Sequence, residues 1–340
     1  LASCYHPNLN PPVFIFATTP LACMGFDAAW LAWFFFSMAC LAVALRRQQQ
    51  ERLIGQGSVN FLYAGLVCLL YVPTLASFFF GQVTFQILLP IILGWSALRR
   101  GQDRAGGGWL GLAASLKPFV ALYLLGLIVL RNGRAIQTMV LTGLVCVALG
   151  WLIGGSNTYR DYFEALHSIN WHSASWNASL AGFFSRLLGG SQNVPWFDAP
   201  GLARALTVLS SFGILAVFVV SAWRIRARVV TERADALMAL CLPAMLLVSP
   251  LGWLYYFPFL LPCTLILWRA SDTMANPRRY RLALLMTLIL SSMPSWFIPA
   301  VEMNDPLDWF GASGFYTVAL LQFFGLAALY SQQSVVPNRR

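Results

Sequence analysis

Long apolar segments alternate with short polar segments along almost the whole chain. Nine of the apolar segments approach the ~20 residues that a helix needs to cross a bilayer. They cover residues 26–46, 58–78, 83–98, 135–153, 203–223, 236–249, 251–268, 281–299 and 313–330. This pattern predicts an all-α polytopic membrane protein with about nine full spans, built as a single domain over residues 1–340.

The apolar segment 105–130 departs from this pattern because Lys117 and Pro118 interrupt its middle, and Lys117 is the only lysine in the chain. A proline removes a helical hydrogen bond, and an ammonium group in lipid costs at least ~3 kcal/mol. One prediction is a single helix whose lysine snorkels to the far interface. The other is a re-entrant pair of half-helices, with Lys117 at the turn within the membrane depth.

The distribution of arginines favours the re-entrant pair. If segment 105–130 enters and leaves on one side, 18 arginines fall on that side and 3 on the other, whereas a single crossing gives 9 against 12. Because Lys and Arg concentrate in cytoplasmic loops, the first arrangement is expected. It predicts an N-terminus outside, a cytoplasmic C-terminus and an earlier span ahead of Leu1 that is missing from this sequence.

The composition agrees with a membrane protein and disfavours other classes. Hydrophobic residues make up 59% of the chain and charged residues 10%, which no soluble globular class matches. The net charge of +10 comes from arginines between apolar segments, so it reflects topology in a lipid bilayer rather than a nucleic-acid partner. The seven cysteines are scattered without metal-ligand spacing, so we expect no metal site. We also expect no cofactor.

All twelve carboxylates lie in loops or at the ends of the apolar segments. Proton- and sodium-coupled transporters usually carry acidic residues near the bilayer midplane, so this placement disfavours a coupled transporter. Lys117 at membrane depth, combined with Arg186 on the outer side, suits a ligand that carries phosphate near the membrane surface.

The longest segment predicted to lie outside is the loop 154–202. Between residues 158 and 169, Tyr162, Phe163, Leu166 and Ile169 fall on one side of a helix, which predicts a helix lying on the outer interface. We expect this loop to cap a cavity rather than to form a separate domain.

Four sequence elements occur in a characteristic order. They are "YHPNLNPPVFIFATTPLACMGFDAAW" (5–30), "FGQVTFQILLPIILGWSALRRGQDRAGGGWLGLAASLKPFVALYLL" (80–125), "WNASLAGFFSRLL" (176–188) and "SPLGWLYYFPFLLP" (249–262). Together they resemble glycosyltransferase family 87, the polyprenol-phosphate-sugar-dependent mannosyltransferases of the GT-C superfamily. The resemblance implies a lipid-phosphate sugar donor that enters from the outer leaflet, and an acceptor that binds under the outer loops.

The resemblance also implies substrate-binding roles for particular residues. Lys117 and Gln82 would line the donor side, and Asn177 and Arg186 would lie on the outer loop over the cavity. The remaining candidates are Tyr5, His6, Asn8 and Asn10 before the first outer helix, and Tyr255 and Tyr256 after Trp253. Family members often have histidine after this tryptophan, where this chain has Leu254, Tyr255 and Tyr256. The catalytic aspartate of the family precedes the "YHPNLNPP" element and is expected upstream of Leu1.

From this resemblance we expect a plasma-membrane hexosyltransferase that moves a hexosyl unit, expected to be mannosyl, from a polyprenyl-phosphate carrier to a glycolipid or glycan acceptor. A carboxylate would activate the acceptor hydroxyl, and cationic groups would stabilise the departing lipid phosphate. Two alternatives stay open: a non-catalytic binder or transporter of lipid-linked sugars, and an inactive relative that has lost its first segment.

Overall fold

The computed structural model describes residues 9–189, 195, 197–292 and 314–333. These residues form α-helices joined by turns and short 3₁₀ segments, and they contain no β-strand, so the all-α prediction is confirmed for the described part of the chain. The α-helices are α1 (Pro12–Ala22), α2 (Phe26–Gln50), α3 (Ser58–Leu70), α4 (Val72–Phe79), α5 (Thr84–Arg99), α6 (Asp103–Leu116), α7 (Leu122–Val129), α8 (Gly133–His167), α9 (Leu180–Leu188), α10 (Pro200–Arg224), α11 (Val230–Val248), α12 (Leu260–Ala270), α13 (Pro277–Ser292) and α14 (Phe315–Gln332).

Four of the described helices, α2, α8, α10 and α14, are long and apolar enough to cross a membrane. A fifth span results if α3 and α4 are taken together. The predicted segments 281–299 and 313–330 extend partly beyond the described residues. The chain is thus a polytopic membrane protein, and the number of nine spans stays a prediction.

The predicted continuous segment 58–78 is broken in the structure. Helices α3 and α4 meet at a bend of 72°, where Tyr71 is extended (φ −71°, ψ 115°). Pro73 has no amide hydrogen to donate back into α3, which explains why the helix cannot continue. The Tyr71 hydroxyl lies 2.8 Å from the Ser291 Oγ, and the Val72 amide donates to the Ser292 Oγ at 3.3 Å. The bend is therefore held against the end of α13.

Helices α6 and α7 form a hairpin, and the start of α6 lies next to the end of α7. The Asn132 side chain, just after α7, donates to the Asp103 carboxylate at the start of α6 at 2.8 Å. At the turn, Lys117 is extended (φ −148°, ψ 116°) and Pro118 opens a 3₁₀ turn over Pro118–Ala121. The segment therefore enters and leaves at the same end of the helix bundle, as the re-entrant prediction requires.

Glycines on α6 allow this hairpin to pack closely against its neighbours. A Cβ on Gly107 would lie 2.1 Å from the Ala135 carbonyl oxygen of α8, and one on Gly111 would lie 2.5 Å from the Met139 carbonyl oxygen. The two glycines are four residues apart and so share one face, the small-residue spacing that brings membrane helices into backbone contact. Close contact with α8 fixes the position of α6, and therefore the position of Lys117 at its end, along the bundle.

The end of the bundle opposite Lys117, here called the arginine end, contains a partly exposed ionic network. Glu51 accepts hydrogen bonds from Ser96 and, at 2.8 Å, from Arg100. Asp235 accepts one from Trp95 at 2.8 Å, and its carboxylate lies 3.3 Å from the Arg99 Nε. The network joins the region after α2 and the start of α11 to the end of α5. With 16 residues, α5 places the arginine end roughly 24 Å from Thr84.

Helix α8 changes direction at Gly155, which has φ 71° and ψ −179°. This positive φ is strained for residues with a side chain, so glycine is the residue that allows the kink. Beyond it the helix runs to His167, which confirms helical structure within the predicted range 158–169. The Tyr159 hydroxyl donates back to the Val147 carbonyl at 2.9 Å and holds the segment in place. Its position at a membrane interface stays a prediction.

Candidate functional site

A cavity of about 810 Å³ lies where the turn of the α6–α7 hairpin faces the segment 249–256 and the segment 162–174, which includes the end of α8. This volume falls within the roughly 300–1,000 Å³ typical of ligand sites. Five of the ten predicted residues line it: Asn10, Gln82, Lys117, Tyr255 and Tyr256. Tyr162, Leu166 and Ile169, three of the four residues assigned to the amphipathic face, line it as well.

Lys117 supplies the cation of this cavity. Its Nζ donates to the Leu9 carbonyl oxygen at 3.2 Å, and no Asp or Glu is among the described residues that line the cavity. The lysine therefore lacks an anionic partner from the described lining. A cation held in this way at a concave site is suited to an anionic ligand.

Gln82 is positioned by the end of α4. The Gln82 amide donates to the Ser77 carbonyl at 2.9 Å, and the Gly81 amide donates to the Phe78 carbonyl at 3.1 Å. With Gly81 at φ +58°, these bonds form the glycine-terminated end that commonly closes a helix. The turn places Gln82 on the cavity wall, where its side chain makes a weak 3.4 Å hydrogen bond to the Phe80 carbonyl.

Asn177 does not line the cavity but fixes one of its walls. Its Nδ2 donates to the carbonyl oxygens of His172 and Pro250, both at 2.9 Å. Its Oδ1 accepts from the amides of Ser179 at 3.2 Å and Gly252 at 2.9 Å. Both donors and both acceptor positions of the amide are therefore used. Asn177 ties the loop 154–202 to the segment 249–256.

The segment 249–256 has little freedom to move. The Ala178 amide donates to the Gly252 carbonyl at 2.8 Å, and a Cβ on Gly252 would lie 2.3 Å from the Leu246 carbonyl oxygen. Thr84 donates to the Tyr255 carbonyl at 2.7 Å. These contacts hold the aromatic side chains of the segment at defined positions on the cavity wall.

Arg186 is fully buried behind this wall. Its Nη1 donates to the carbonyl oxygens of Ala174 at 2.9 Å and Asn177 at 2.8 Å. Its Nε and Nη2 find no hydrogen-bond partner within the described residues, and burial lowers the pKa of Arg186 to about 9. In this geometry Arg186 stabilises the backbone of the loop through these hydrogen bonds. Direct contact of Asn177 or Arg186 with a substrate stays a prediction.

Sequence reasoning missed three aromatic lining residues, Phe119, Trp171 and Trp253. The rings of Phe119 and Tyr256 meet edge to face with centroids 5.1 Å apart, and those of Tyr256 and Tyr255 with centroids 4.9 Å apart. The Trp253 ring stacks on Tyr255 at 5.9 Å and 24°. We call these four residues the ring ladder. Phe119 stands directly after the Lys117-Pro118 pair, which was the available signal. The remaining predicted residues, Tyr5, His6 and Asn8, lie outside the described residues.

Comparison with known proteins gives a family and a set of relatives. Two proteins of Mycobacterium tuberculosis are similar to this chain. One, a polyprenol-phosphate-mannose-dependent alpha-(1-2)-phosphatidylinositol mannoside mannosyltransferase, is 24% identical over 272 residues, which cover 78% of this chain and 60% of the relative. The other, named for a phosphatidylinositol pentamannoside acceptor, is 26% identical over 272 residues and covers 77% and 58%.

The chain thus spans about three fifths of the length of the curated relatives it matches. No solved structure gives a significant match. The model of glycosyltransferase family 87 matches residues 8–250. This match includes the residues that line the cavity between Leu9 and Pro250, and it covers well over half of the chain. The chain therefore belongs to glycosyltransferase family 87.

Proposed function

We propose that this chain forms the membrane body of a hexosyltransferase that moves a mannosyl unit from a polyprenyl-phosphate carrier to a glycolipid acceptor bearing a mannoside. Membership of the family and the printed activities of the relatives support the reaction class. The observation that carries the proposal is Lys117, which projects into a large cavity without an anionic partner from the described lining.

The reaction proposed is a displacement at the anomeric carbon of the donor sugar. The bond between this carbon and the phosphate oxygen breaks, and the electron pair leaves with the polyprenyl phosphate. The Lys117 ammonium would stabilise the charge that develops on this phosphate, because a cation fixed in a site of low dielectric stabilises the leaving group more than water does. Gln82 and Asn10, which share this cavity, would donate to oxygens of the same ligand.

The acceptor hydroxyl must lose a proton as it attacks the anomeric carbon. General bases for this step in glycosyl transfer are carboxylates in most families. No described residue of the cavity lining is an Asp or Glu, so the base would come from a part of the protein outside this lining. The family resemblance implies an aspartate ahead of the "YHPNLNPP" element for this role.

The cavity would open to the outer leaflet of the plasma membrane. Lys117 lies at the opposite end of the bundle from the arginine end, which the positive-inside bias assigns to the cytoplasm. A polyprenyl-phosphate carrier has its phosphate at the membrane surface and its chain in the lipid. A cation near a membrane surface, flanked by the apolar Leu9 and Leu122, suits both parts of such a ligand.

The proposal is tested by the class of donor the protein uses. Membranes containing the full-length protein would be supplied with labelled mannose either as polyprenyl-phosphate mannose or as a nucleotide-diphosphate mannose. Membranes of the same cells without the gene serve as the control, and an inhibitor of the endogenous polyprenyl-phosphate mannose synthase keeps the two donors separate. We expect labelled glycolipid from the lipid-linked donor alone.

Transfer from the nucleotide sugar under these conditions would overturn the proposal. Binding of polyprenyl-phosphate mannose without any transfer would instead support the binder or transporter. The two results can be distinguished, because the first identifies which donor is used and the second shows whether any transfer occurs.

A further inference from the structure

The ring ladder extends from the lysine to the loop 154–202. Phe119 lies two residues after Lys117, and its ring meets Tyr256. Trp253 is the last ring of the ladder, at the opposite end from Phe119. Its backbone pairs with that of Asn177 in the loop. Lys117 and Trp253 both line the cavity, so we treat the lysine as its cationic end and the last ring of the ladder as its indole end.

The two ends fit different parts of a glycosyl-transfer reaction. The sugar of a lipid-phosphate donor is bonded directly to the phosphate, so a phosphate at Lys117 keeps the donor sugar beside Phe119 and Tyr256. Trp253 lies beyond Tyr255, two ring contacts further along the ladder than Tyr256. The space over Trp253 is therefore left for the second substrate.

The surface at Trp253 is suited to a pyranose ring. Trp253 is only partly buried, and it lies almost parallel to Tyr255, which braces it from behind. An indole face is apolar and electron-rich, and it attracts the C–H groups on the apolar side of a sugar. The Asn177 hydrogen bonds and the close approach of Gly252 to Leu246 keep this surface from shifting.

We propose that Trp253 is the platform on which the pyranose ring of the acceptor stacks. This inference rests on the proposed function, since it assumes that the Lys117 end of the cavity takes the donor phosphate. It makes Trp253 a specificity-determining residue that orients the acceptor hydroxyl toward the donor sugar.

The inference is tested by binding rather than by turnover. Purified full-length protein in detergent would be titrated with n-octyl α-D-mannopyranoside as the sugar probe, octyl glycerol as the chain-only control, and undecaprenyl phosphate as the phosphate probe. For Trp253→Leu we expect octyl mannoside binding to weaken about three- to tenfold, with octyl glycerol and undecaprenyl phosphate within twofold of the parent. Trp253→Phe, which keeps a ring, should restore most of the binding.

Lys117→Met is the matched variant at the other end of the cavity. It should weaken undecaprenyl phosphate and leave octyl mannoside within twofold of the parent. If Trp253→Leu does not fold, Tyr255→Leu removes the brace behind the indole and should give the same selective loss of octyl mannoside.

Octyl mannoside affinity within twofold of the parent in Trp253→Leu would overturn the platform. A loss of undecaprenyl phosphate binding in that variant would overturn it as well, because the ring would then serve the donor. Loss of octyl mannoside in Trp253→Leu together with unchanged undecaprenyl phosphate in Lys117→Met would show a sugar site at Trp253 but refute the proposed donor site, and with it the assignment of that sugar site to the acceptor.

Discussion

At the scale of single residues, the chain separates groups that face the cavity from groups that hold its walls. Lys117, Gln82 and Tyr255 face the cavity. The side chains of Asn177 and Arg186 instead form hydrogen bonds with backbone groups of the loop and the neighbouring segment. A polar residue in a motif can therefore matter without touching a ligand, because an unsatisfied buried backbone group is costly.

Replacing Asn177 with alanine should destabilise the protein more than most single changes do. It would leave the carbonyls of His172 and Pro250 and the amides of Ser179 and Gly252 without these partners. Each lost bond to a buried group costs about 1–3 kcal/mol. Thermal unfolding in detergent should show a clearly lower midpoint. Asn177→Asp, which keeps the two acceptors, should fall between alanine and the parent; a midpoint for Asn177→Ala equal to that of the parent would contradict this role.

Sequence reasoning found the cation and missed the aromatic wall, for a physical reason. A lone lysine beside a proline in an apolar segment is anomalous in its own stretch of sequence, whereas Gln82 was assigned from the family resemblance. Trp253 and Phe119 belong to a chain in which 14% of residues are aromatic. Their grouping depends on contacts between segments more than 130 residues apart, which no local pattern records.

At the scale of helices, the α6–α7 hairpin depends on glycines where α6 meets α8. The re-entrant shape was predictable because the break and the arginine distribution are both visible in the sequence. The close packing of the α6 glycines against α8 was not predicted. The sequence does not distinguish a glycine that contacts a neighbouring backbone from one that does not. Gly107 and Gly108 are adjacent, yet only Gly107 faces the α8 backbone closely.

These two glycines give a matched pair of alanine substitutions. Gly107→Ala would place its Cβ 2.1 Å from the Ala135 carbonyl oxygen, so it should separate α6 from α8 and lower both the unfolding midpoint and transfer activity. Gly108→Ala would meet only the Thr142 Oγ1 at 3.7 Å, an ordinary contact. It should leave both properties unchanged or slightly raise stability, since alanine favours a helix by up to about 1 kcal/mol. Equal effects of the two changes would contradict the packing described here.

At the scale of the whole molecule, the bundle has an arginine end and a cavity end. The hydrogen bond between Asn132 and Asp103 puts both ends of the hairpin together. The distribution of arginines between the loops predicted this arrangement. The bend at Tyr71 was not predicted, because the apolar run continues through Pro73 without a polar interruption.

Labelling of single cysteines tests the two-ended arrangement. In a full-length background without native cysteines, Gln102→Cys and Arg134→Cys flank the hairpin at exposed positions, and His167→Cys lies at the far end of α8. A membrane-impermeant maleimide added to intact cells should label position 167 alone, and positions 102 and 134 should react only after the membrane is opened. Labelling of positions 102 and 134 from opposite sides would refute the re-entrant hairpin in the membrane.

The central claim, that Lys117 receives the phosphate of the lipid donor, is tested most directly by the rate of mannosyl transfer from polyprenyl-phosphate mannose in Lys117→Met. Methionine keeps the length and the apolar stem but removes the charge, so the full-length variant should lose about tenfold to 150-fold in transfer rate at subsaturating donor, roughly 1.5–3 kcal/mol. Lys117→Arg should recover only part of this loss, because a planar guanidinium does not reproduce a compact ammonium. Arg134→Gln removes one exposed charge at the arginine end and serves as the control. A transfer rate for folded Lys117→Met within twofold of the parent would contradict the account.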